Sequence, residues 1–461
     1  MRNPSTYRRH AHALIVLALP LIGSHLAQFA IHMVDTVMLG WYGVEALAAA
    51  VLANGFFFIF FIFGCGFGFA LMPLVPAAIA RGEDAEVRRV TRMALWWSFA
   101  YAVLMVPVML SAERILLVLG QEPRLAELGG DYLGVAVWGL IPSLGVNVLK
   151  TYLSALERAG IVLWATLMAV VLNAVLNYAF IFGNLGAPEL GMRGAALASV
   201  LVELATFIVV GIVAVRLRPE HALFARFWRA DPDALRQVFA IGVPIAVTTV
   251  AEVGLFVCVA VLVGWIGTVE LAAHGAALQI ASLMFMFHLG LSNAATIRMG
   301  QALGRSDVRA VWQGAIVTMV IAMMFVVVAI VLFLGLPAPL IGLFLDPASP
   351  ARDEVIAVGV SLLGLAALFQ LADAGQAMTI GLLRGLQDTR VPMWMALFSY
   401  WGVGMPTAWV MGFPLGWGVQ GIWGGLITGL SCAWILLGWR FWRARSWMDN
   451  MGQAPQAPSV V

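Results

Sequence analysis

The sequence has 461 residues, of which 62% are hydrophobic and only 11% charged, with a formal net charge of +2 and a mean hydropathy of +0.95. Soluble domains contain about 45–50% apolar and about 25% charged residues, so this composition excludes an ordinary soluble protein. Repeated apolar stretches longer than about 18 residues, without the alternation of barrel strands, indicate membrane-spanning helices. We therefore predict an all-α polytopic membrane protein.

The first long apolar stretch, residues 14–39, contains an acidic residue where a membrane tolerates it least. His25, Gln28, His32 and Asp35 are spaced three, four and three apart, which places them on one face of a helix. An ionised carboxylate in a spanning helix costs at least ~2.5–3.5 kcal/mol and usually marks a substrate, ion or proton path. A structural acid bonded to a neighbouring helix is the alternative.

Twelve apolar segments of spanning length follow one another along the chain. Their predicted bounds are 14–38, 45–75, 93–111, 131–155, 161–183, 194–215, 238–264, 270–297, 311–335, 354–383, 391–413 and 418–441. With the N-terminus placed inside, 22 of the 26 basic residues fall in inside segments. The positive-inside rule therefore predicts that both termini are cytoplasmic.

The longest inside break separates two related halves. A shift of 224 residues aligns GWYGVEALAA at 40–49 with GWIGTVELAA at 264–273, with six identities in ten positions. Each copy has six helices, an even number, so the copies are related by an axis along the membrane normal, with the expected binding site near the midplane. We predict an N-terminal six-helix lobe, a cytoplasmic linker and a C-terminal six-helix lobe at 1–216, 217–237 and 238–461.

Three further acids lie deep in predicted spans: Glu203, Glu252 and Asp373. Glu252 has Thr248 one turn earlier, and Asp373 is flanked on its helix face by Gln370 and Gln376. Polar residues at these spacings form stripes directed towards the protein interior. Glu203 has no comparable stripe, so we interpret it as structural.

The two halves repeat the same pattern of helices, whereas the acids in one half have no equivalent in the other. Under the shift of 224 residues Asp35 meets Val259 and Glu252 meets Gln28. This asymmetry favours ion handling over inherited architecture, with simple divergence of the repeats as the alternative. Burial disfavours the charged form of a carboxyl group, so Glu252 and Asp373 on facing helices are suited to hold a proton or Na⁺ between them.

Several segments together resemble the multidrug and toxic compound extrusion family, particularly its NorM-like branch. They are MVDTVMLGWYG, LNAVLNYAFIFG followed by GMRGAALA, DPDALRQVFAIGVPIA and LAAHGAALQIASLMFMFHLGLSNAATIRMGQALGR. The resemblance covers essentially the whole chain. It implies twelve transmembrane helices in two pseudo-symmetric six-helix bundles, and an antiporter that exports lipophilic, often cationic drugs and toxic compounds in exchange for Na⁺ or H⁺ by alternating access.

The resemblance also implies roles for individual residues. The family's first-helix acid matches Asp35, its seventh-helix Glu matches Glu252, its tenth-helix Asp matches Asp373, and its fifth-helix Asn pair matches Asn173 and Asn177. We expect the coupling cation or proton at the three acids, with Glu252 and Asp373 as the ligands if the ion is Na⁺. The expected path for substrate or cation is lined by Gln28, His32, Asn173, Asn177, Thr248, Gln370 and Gln376. Phe369 stands where some relatives have Tyr, which leaves Na⁺ or H⁺ open.

Other function classes fit the sequence less well. A lipid or polysaccharide-precursor flippase of the same broad superfamily would need a cationic cleft for phosphate, whereas the deep charges here are acids. A membrane enzyme is disfavoured because HExxH, GxSxG and clustered metal-ligand spacings are absent from the sequence. A channel fits the composition, but off-symmetry acids suit alternating access better. We therefore expect a monomeric bacterial inner-membrane protein with drug-like substrates, no cofactor besides the coupling ion, no ATP and no nucleic acid.

Overall fold

The computed structural model describes residues 4–347 and 350–451, and side-chain surroundings within 6–347 and 350–444. The described residues form helices, turns and short connections, without a β-strand. Eleven of the described helices are long and apolar enough to cross a membrane. The predicted all-α polytopic class is confirmed.

Eight α-helices precede the predicted linker. They are α1 (Pro4–Tyr42), α2 (Val44–Phe69), α3 (Leu71–Arg81), α4 (Asp84–Leu110), α5 (Ala112–Val118), α6 (Pro123–Ala155), α7 (Ala159–Phe182) and α8 (Gly191–Leu217). Local chemistry sets several ends: α3 stops at Gly82 and α7 at Gly183, with φ of 75° and 71°. Glycine adopts this left-handed conformation without a steric penalty.

Eight more α-helices follow a short 3₁₀ turn at Pro219–His221. They are α9 (Pro232–Gly264), α10 (Thr268–Gly304), α11 (Val308–Gly335), α12 (Pro337–Gly342), α13 (Arg352–Gly385), α14 (Arg390–Leu397), α15 (Met405–Gly412) and α16 (Gly418–Met451). The Asp307 carboxylate caps α11 by accepting the backbone N–H of Ala310 at 2.9 Å.

Two of the predicted spans are not a single α-helix: 45–75 comprises α2 and α3, which flank Ala70, and 391–413 comprises α14 and α15. A π-helix at Phe398–Gly404 separates α14 from α15. Pro406 lies in the first turn of α15 and has no N–H to donate to the preceding turn, which favours a break in the regular hydrogen-bond ladder. The segment is still continuously helical, and the count of twelve spans stays a prediction.

The chain forms two compact units. The first unit is Gly23–Val247, and the second unit combines Met1–Ile22 with Thr248–Val461. Both boundaries fall inside long helices, α1 and α9, and not in the predicted linker 217–237. The predicted lobes 1–216 and 238–461 describe the repeat and stay a prediction.

A helix at the same position of each repeat is buried along most of its length. In the first unit this helix is α6, with Tyr152 and Leu133 fully enclosed. In the second unit it is α13, which buries Leu363 and Leu383 together with the polar residues of the candidate site. Polar residues on such helices face protein, where they can be held in fixed positions.

The predicted linker is fastened to α4 of the first unit. The Arg92 guanidinium donates to the backbone carbonyls of Ala225 and Arg226 at 3.1 and 3.0 Å. The Trp96 indole N–H donates to the carbonyl of Phe227 at 3.0 Å. Arg89 holds both carboxylate oxygens of Asp231, with Nη2 donating to Oδ1 at 3.0 Å. The segment therefore has a defined path over the end of α4.

Candidate functional site

The first-unit site is built around Asp35 of α1. The carboxylate oxygen Oδ1 accepts hydrogen bonds from Nδ2 of Asn173 at 3.0 Å and from Nδ2 of Asn177 at 2.6 Å. The two asparagines are one turn apart on α7, and Asn177 also donates to Oδ1 of Asn173 at 3.2 Å. Both are fully buried and Asp35 is 8% exposed. The predicted proximity of the acid and the Asn pair is confirmed.

A cavity of about 410 Å³ opens beside Asp35 within the first unit. Gln28, His32 and Asn173 line it, whereas Asn177 is not among its lining residues, and the predicted role of these residues in a substrate or cation path stays a prediction. The wall contributed by α2 is aromatic, with Phe57, Phe58 and Phe61. The cavity therefore combines an acid with an apolar, aromatic surface, an arrangement suited to a small organic cation.

Most residues that line this cavity were not among the predicted site residues, and Asn54, Tyr132 and Glu203 are the ones that carry functional groups of interest. Tyr132 of α6 donates its hydroxyl to Oδ1 of Asn54 at 3.0 Å, and both residues line the cavity. Glu203 of α8, interpreted from the sequence as structural, lines the same cavity. Asn54 and Glu203 are isolated polar residues in apolar runs, a sequence pattern that could have marked them as candidates. Only the packing of α2, α6 and α8 shows that they converge.

The second-unit site is centred on Asp373 of α13 and Glu252 of α9. Asp373 is buried and Glu252 is half-buried, and the two carboxylates interact electrostatically. Gln376 donates its amide N–H to the Tyr400 hydroxyl oxygen, and it contributes to the electrostatic surroundings of Glu252. Glu252 and Asp373 therefore lie near each other, as expected for helices whose polar faces meet, with Gln376 and Tyr400 beside them.

Two further ionisable residues reach these acids. His288 of α10 places Nδ1 3.5 Å from Oδ2 of Asp373, and neither atom has a hydrogen-bond partner among the described residues. Arg384, assigned from the sequence to a cytoplasmic segment, interacts electrostatically with Glu252. Neither residue could be paired with an acid from sequence spacing, because His288 lies in an aromatic and Met-rich run and Arg384 lies near a helix end.

Two segments of the chain match the model of one protein family. The model described as MatE matches residues 20–179 and again residues 244–410, together well over half of the chain. The chain belongs to the MatE family. The two matches begin 224 residues apart, the same shift that aligns the repeats, so the family model supports the internal duplication. Asp35, Asn173 and Glu252 lie inside the matched segments, whereas Glu203 lies between them.

Two curated relatives of this MatE family chain share a name. A protein of Agrobacterium fabrum called "Probable multidrug resistance protein NorM" is 47% identical over 94% of this chain and 93% of its own length. A protein of Rhizobium meliloti with the same name is 45% identical over 99% of this chain and 97% of its own. The resemblance to the NorM-like branch is confirmed.

Solved structures show the same fold. An outward-facing multidrug resistance MATE family transporter of the MOP superfamily superimposes with a TM-score of 0.87 at 20% identity, covering 95% of this chain and 97% of that one. The eukaryotic MATE transporter AtDTX14 gives a TM-score of 0.82 at 19% identity, covering 96% and 99%. At these identities the likeness establishes the fold alone.

The remaining predicted residues of this MatE family member are buried in the second unit. Gln370 donates its amide N–H to the backbone carbonyl of Ala281 at 3.2 Å, a contact between α13 and α10. Thr248 on α9 is 4% exposed. Within the described residues, no group of three or more His, Cys, Asp or Glu side chains lies close enough to hold a metal ion. Na⁺ ligation by Glu252 and Asp373, and a lining role for Gln370 and Thr248, stay predictions.

Proposed function

We propose that this protein is a secondary antiporter that exports lipophilic, often cationic drugs and toxic compounds in exchange for Na⁺ or H⁺ by alternating access. The observation that carries the proposal is the acid Asp35, held by two buried amides at the wall of a partly aromatic cavity in a membrane-spanning unit. The names of the NorM relatives point to the same activity. Coupling ion and substrate then compete for a limited amount of negative charge.

The negative charge of the buried side chains favours a drug antiporter over a flippase for lipid or polysaccharide precursors. A phosphate-bearing substrate needs basic side chains, whereas the cavity is lined by Asp35 and Glu203. One structural neighbour, a MOP superfamily transporter from Pyrococcus furiosus with a TM-score of 0.86 and 19% identity, is described by the words "reverse polarity of binding pocket suggests different function". The charge of the residues that line the cavity is thus the property to test in this chain.

The proposal includes a cellular setting. We propose a monomer in the bacterial inner membrane with both termini in the cytoplasm, acting without ATP, a nucleic-acid partner or a cofactor other than the coupling ion, and catalysing no chemical reaction. Reporter fusions after residue 237 and after the C-terminus should both report the cytoplasmic side. An external position for either fusion would contradict the topology.

The decisive experiment for the activity is efflux from sealed vesicles. The purified protein is reconstituted, a fluorescent lipophilic cation is loaded, and Na⁺ and pH gradients are imposed separately. We expect efflux driven by at least one of the two gradients and not by ATP. Absence of efflux under both gradients, with correctly inserted protein, would contradict the proposed function.

A further inference from the structure

We propose that Glu203 is the residue that binds the positive charge of the exported substrate in the first-unit cavity. This inference rests on the proposed function, because it names the substrate class of the same transporter: a lipophilic cation with aromatic rings. It assigns to α8 a part that is separate from the coupling site at Asp35.

The lining of the cavity selects for a cation. Its acidic members are Asp35 and Glu203, and no lysine or arginine contributes to the wall among the residues that the structure describes. A carboxylate withdrawn from bulk water is costly unless it is paired or hydrogen-bonded. A positive charge entering the cavity therefore gains from both acids, whereas an anion is repelled.

The two acids are not equally available to a ligand. Oδ1 of Asp35 already accepts N–H groups from Asn173 and Asn177, and the residue is nearly enclosed. Glu203 is only partly buried, and it has no hydrogen bond to another described residue and no ion pair within 4 Å. Both carboxylate oxygens of Glu203 are therefore open to a substrate, whereas one oxygen of Asp35 is already occupied and the residue is less exposed.

Lys150 explains how Glu203 is tolerated when the cavity is empty. This lysine on α6 interacts electrostatically with Glu203 and with His25, yet it does not line the cavity. A charge at this longer range lowers the cost of the buried carboxylate without occupying its oxygens. Lys150 thus opposes cation binding, and its removal should strengthen that binding as long as Glu203 is present.

The aromatic wall supplies the rest of the affinity. Phe57 and Phe61 lie one turn apart on α2, with stacked rings whose centroids are 6.2 Å apart, and Phe58 lies beside them. Aromatic faces attract organic cations and pack against flat rings. Aromatic contacts alone would also retain neutral molecules of the same shape, so charge selectivity must come from the acid.

The test compares two probes of similar shape and different charge. Binding of tetraphenylphosphonium and of neutral triphenylphosphine oxide is measured calorimetrically on the full-length protein in lipid nanodiscs. We expect Glu203→Gln to weaken tetraphenylphosphonium by about tenfold, the loss of one charge contact in a partly desolvated site, and to change the neutral probe less than about twofold. Glu113→Gln, the same change at an exposed residue of α5, should alter neither.

Lys150→Met supplies a change of opposite sign. It should tighten tetraphenylphosphonium binding by a few-fold in the presence of Glu203 and have no effect in the Glu203→Gln background. Unchanged tetraphenylphosphonium affinity in Glu203→Gln, equal weakening of both probes, or a Lys150→Met effect that persists without Glu203 would each overturn the inference. If Glu203→Gln does not fold, two other variants still test the inference. They are Glu203→Asp, which keeps the charge, and Lys150→Met alone.

These binding measurements need no ion gradient, so they fail independently of the proposed function. Wild-type vesicles without gradient-driven efflux would refute the antiport proposal, even if Glu203 proves to select cations. Conversely, the Glu203→Gln variant could show efflux with normal ion coupling and a normal preference for cations. That result would refute the inference and leave the antiport proposal unaffected.

Discussion

The two acid sites of this protein use different partners for their carboxylates. In the first unit, Asp35 is held by two amide N–H groups from α7. In the second unit, Oδ2 of Asp373 faces His288 at 3.5 Å and has no hydrogen bond to a described residue. One carboxylate is fixed by neutral donors, whereas the other lies among ionisable groups.

This difference shows which features survived the duplication. The repeats keep equivalent spans and equivalent long buried helices, α6 and α13. The polar side chains have diverged, because packing constrains volume at every buried position, while a charge is constrained only where it has a partner. Asn173 and Asn177 can fix a carboxylate but cannot balance its charge, whereas Arg384 near Glu252 contributes a positive charge of its own.

The largest effects are expected from removing the acids themselves. Glu252→Gln, Asp373→Asn and Asp35→Asn should each reduce ion-coupled efflux to the level of protein-free vesicles, because each removes a charge that must bind the coupling ion. Insertion should be unaffected, since neutralisation relieves a desolvation cost. The measurement is efflux at matched membrane abundance.

Asp131→Asn is the control for these acids, because Asp131 forms an exposed ion pair with Arg193 at 2.7 Å. Its efflux should be unchanged. Normal coupling in both Glu252→Gln and Asp373→Asn would contradict the role of the second-unit site.

The next largest effect is expected at the first-unit site, from weakening the hydrogen bonds that hold Asp35. Asn177→Leu removes the shorter of the two hydrogen bonds to Asp35. A hydrogen bond to a charged group contributes about 1.5–3 kcal/mol, so efflux should fall by about tenfold or more. Ser24→Ala is a matched control, since the Ser24 hydroxyl contacts Thr166 at 3.1 Å between the same two helices. Equal losses in the two variants would indicate helix packing and not the carboxylate.

A smaller effect is expected from the side chain that faces Asp373. His288→Leu should lower efflux several-fold because it leaves Oδ2 of Asp373 beside an apolar group. His288→Asn can donate a hydrogen bond from a similar position and should recover part of the activity. If the leucine and asparagine variants behave alike, His288 fills space and does not position the acid.

The smallest effect should come from a charge pair that belongs to neither site, Arg89 with Asp231. Hydrogen bonding to Arg89 lowers the pKa of Asp231 to about 2. A carboxyl group whose pKa is lowered on folding adds stability above its unfolded pKa of about 3.9, and this contribution is lost as the pH falls towards 2. Asp231→Asn should therefore cost on the order of 1 kcal/mol at neutral pH, after allowance for the partial exposure of both side chains.

The measurement for this pair is thermal unfolding of the detergent-solubilised protein at pH 5 and pH 7. Both values lie above the unfolded pKa, so the variant should be destabilised equally at both. Efflux should be unchanged. Loss of efflux comparable to that of Asn177→Leu would show that the linker anchor takes part in transport.

Much of the fold follows from local sequence. Ten of the twelve predicted spans coincide with single long apolar helices, and an eleventh, 45–75, coincides with the consecutive helices α2 and α3. The agreement follows because the length and polarity of a spanning helix are dictated by the bilayer. The remaining span contains the π-helix at Phe398–Gly404, whose irregular ladder is not encoded by hydrophobic periodicity. The pairing of Asp35 with Asn173 and Asn177 was also predictable, since each is a polar residue at helical spacing in an apolar run.

By itself, the sequence determined the membrane class, the internal repeat, the acids at Asp35, Glu252 and Asp373, and the family to which the chain belongs. These features depend on composition and on spacing along one helix, which are local properties. Only the tertiary structure decided that Glu203 shares a cavity with Asp35, that His288 faces Asp373 and that Arg384 lies near Glu252. Such contacts join helices far apart in the chain, and their side-chain directions depend on how the helices rotate and pack against one another.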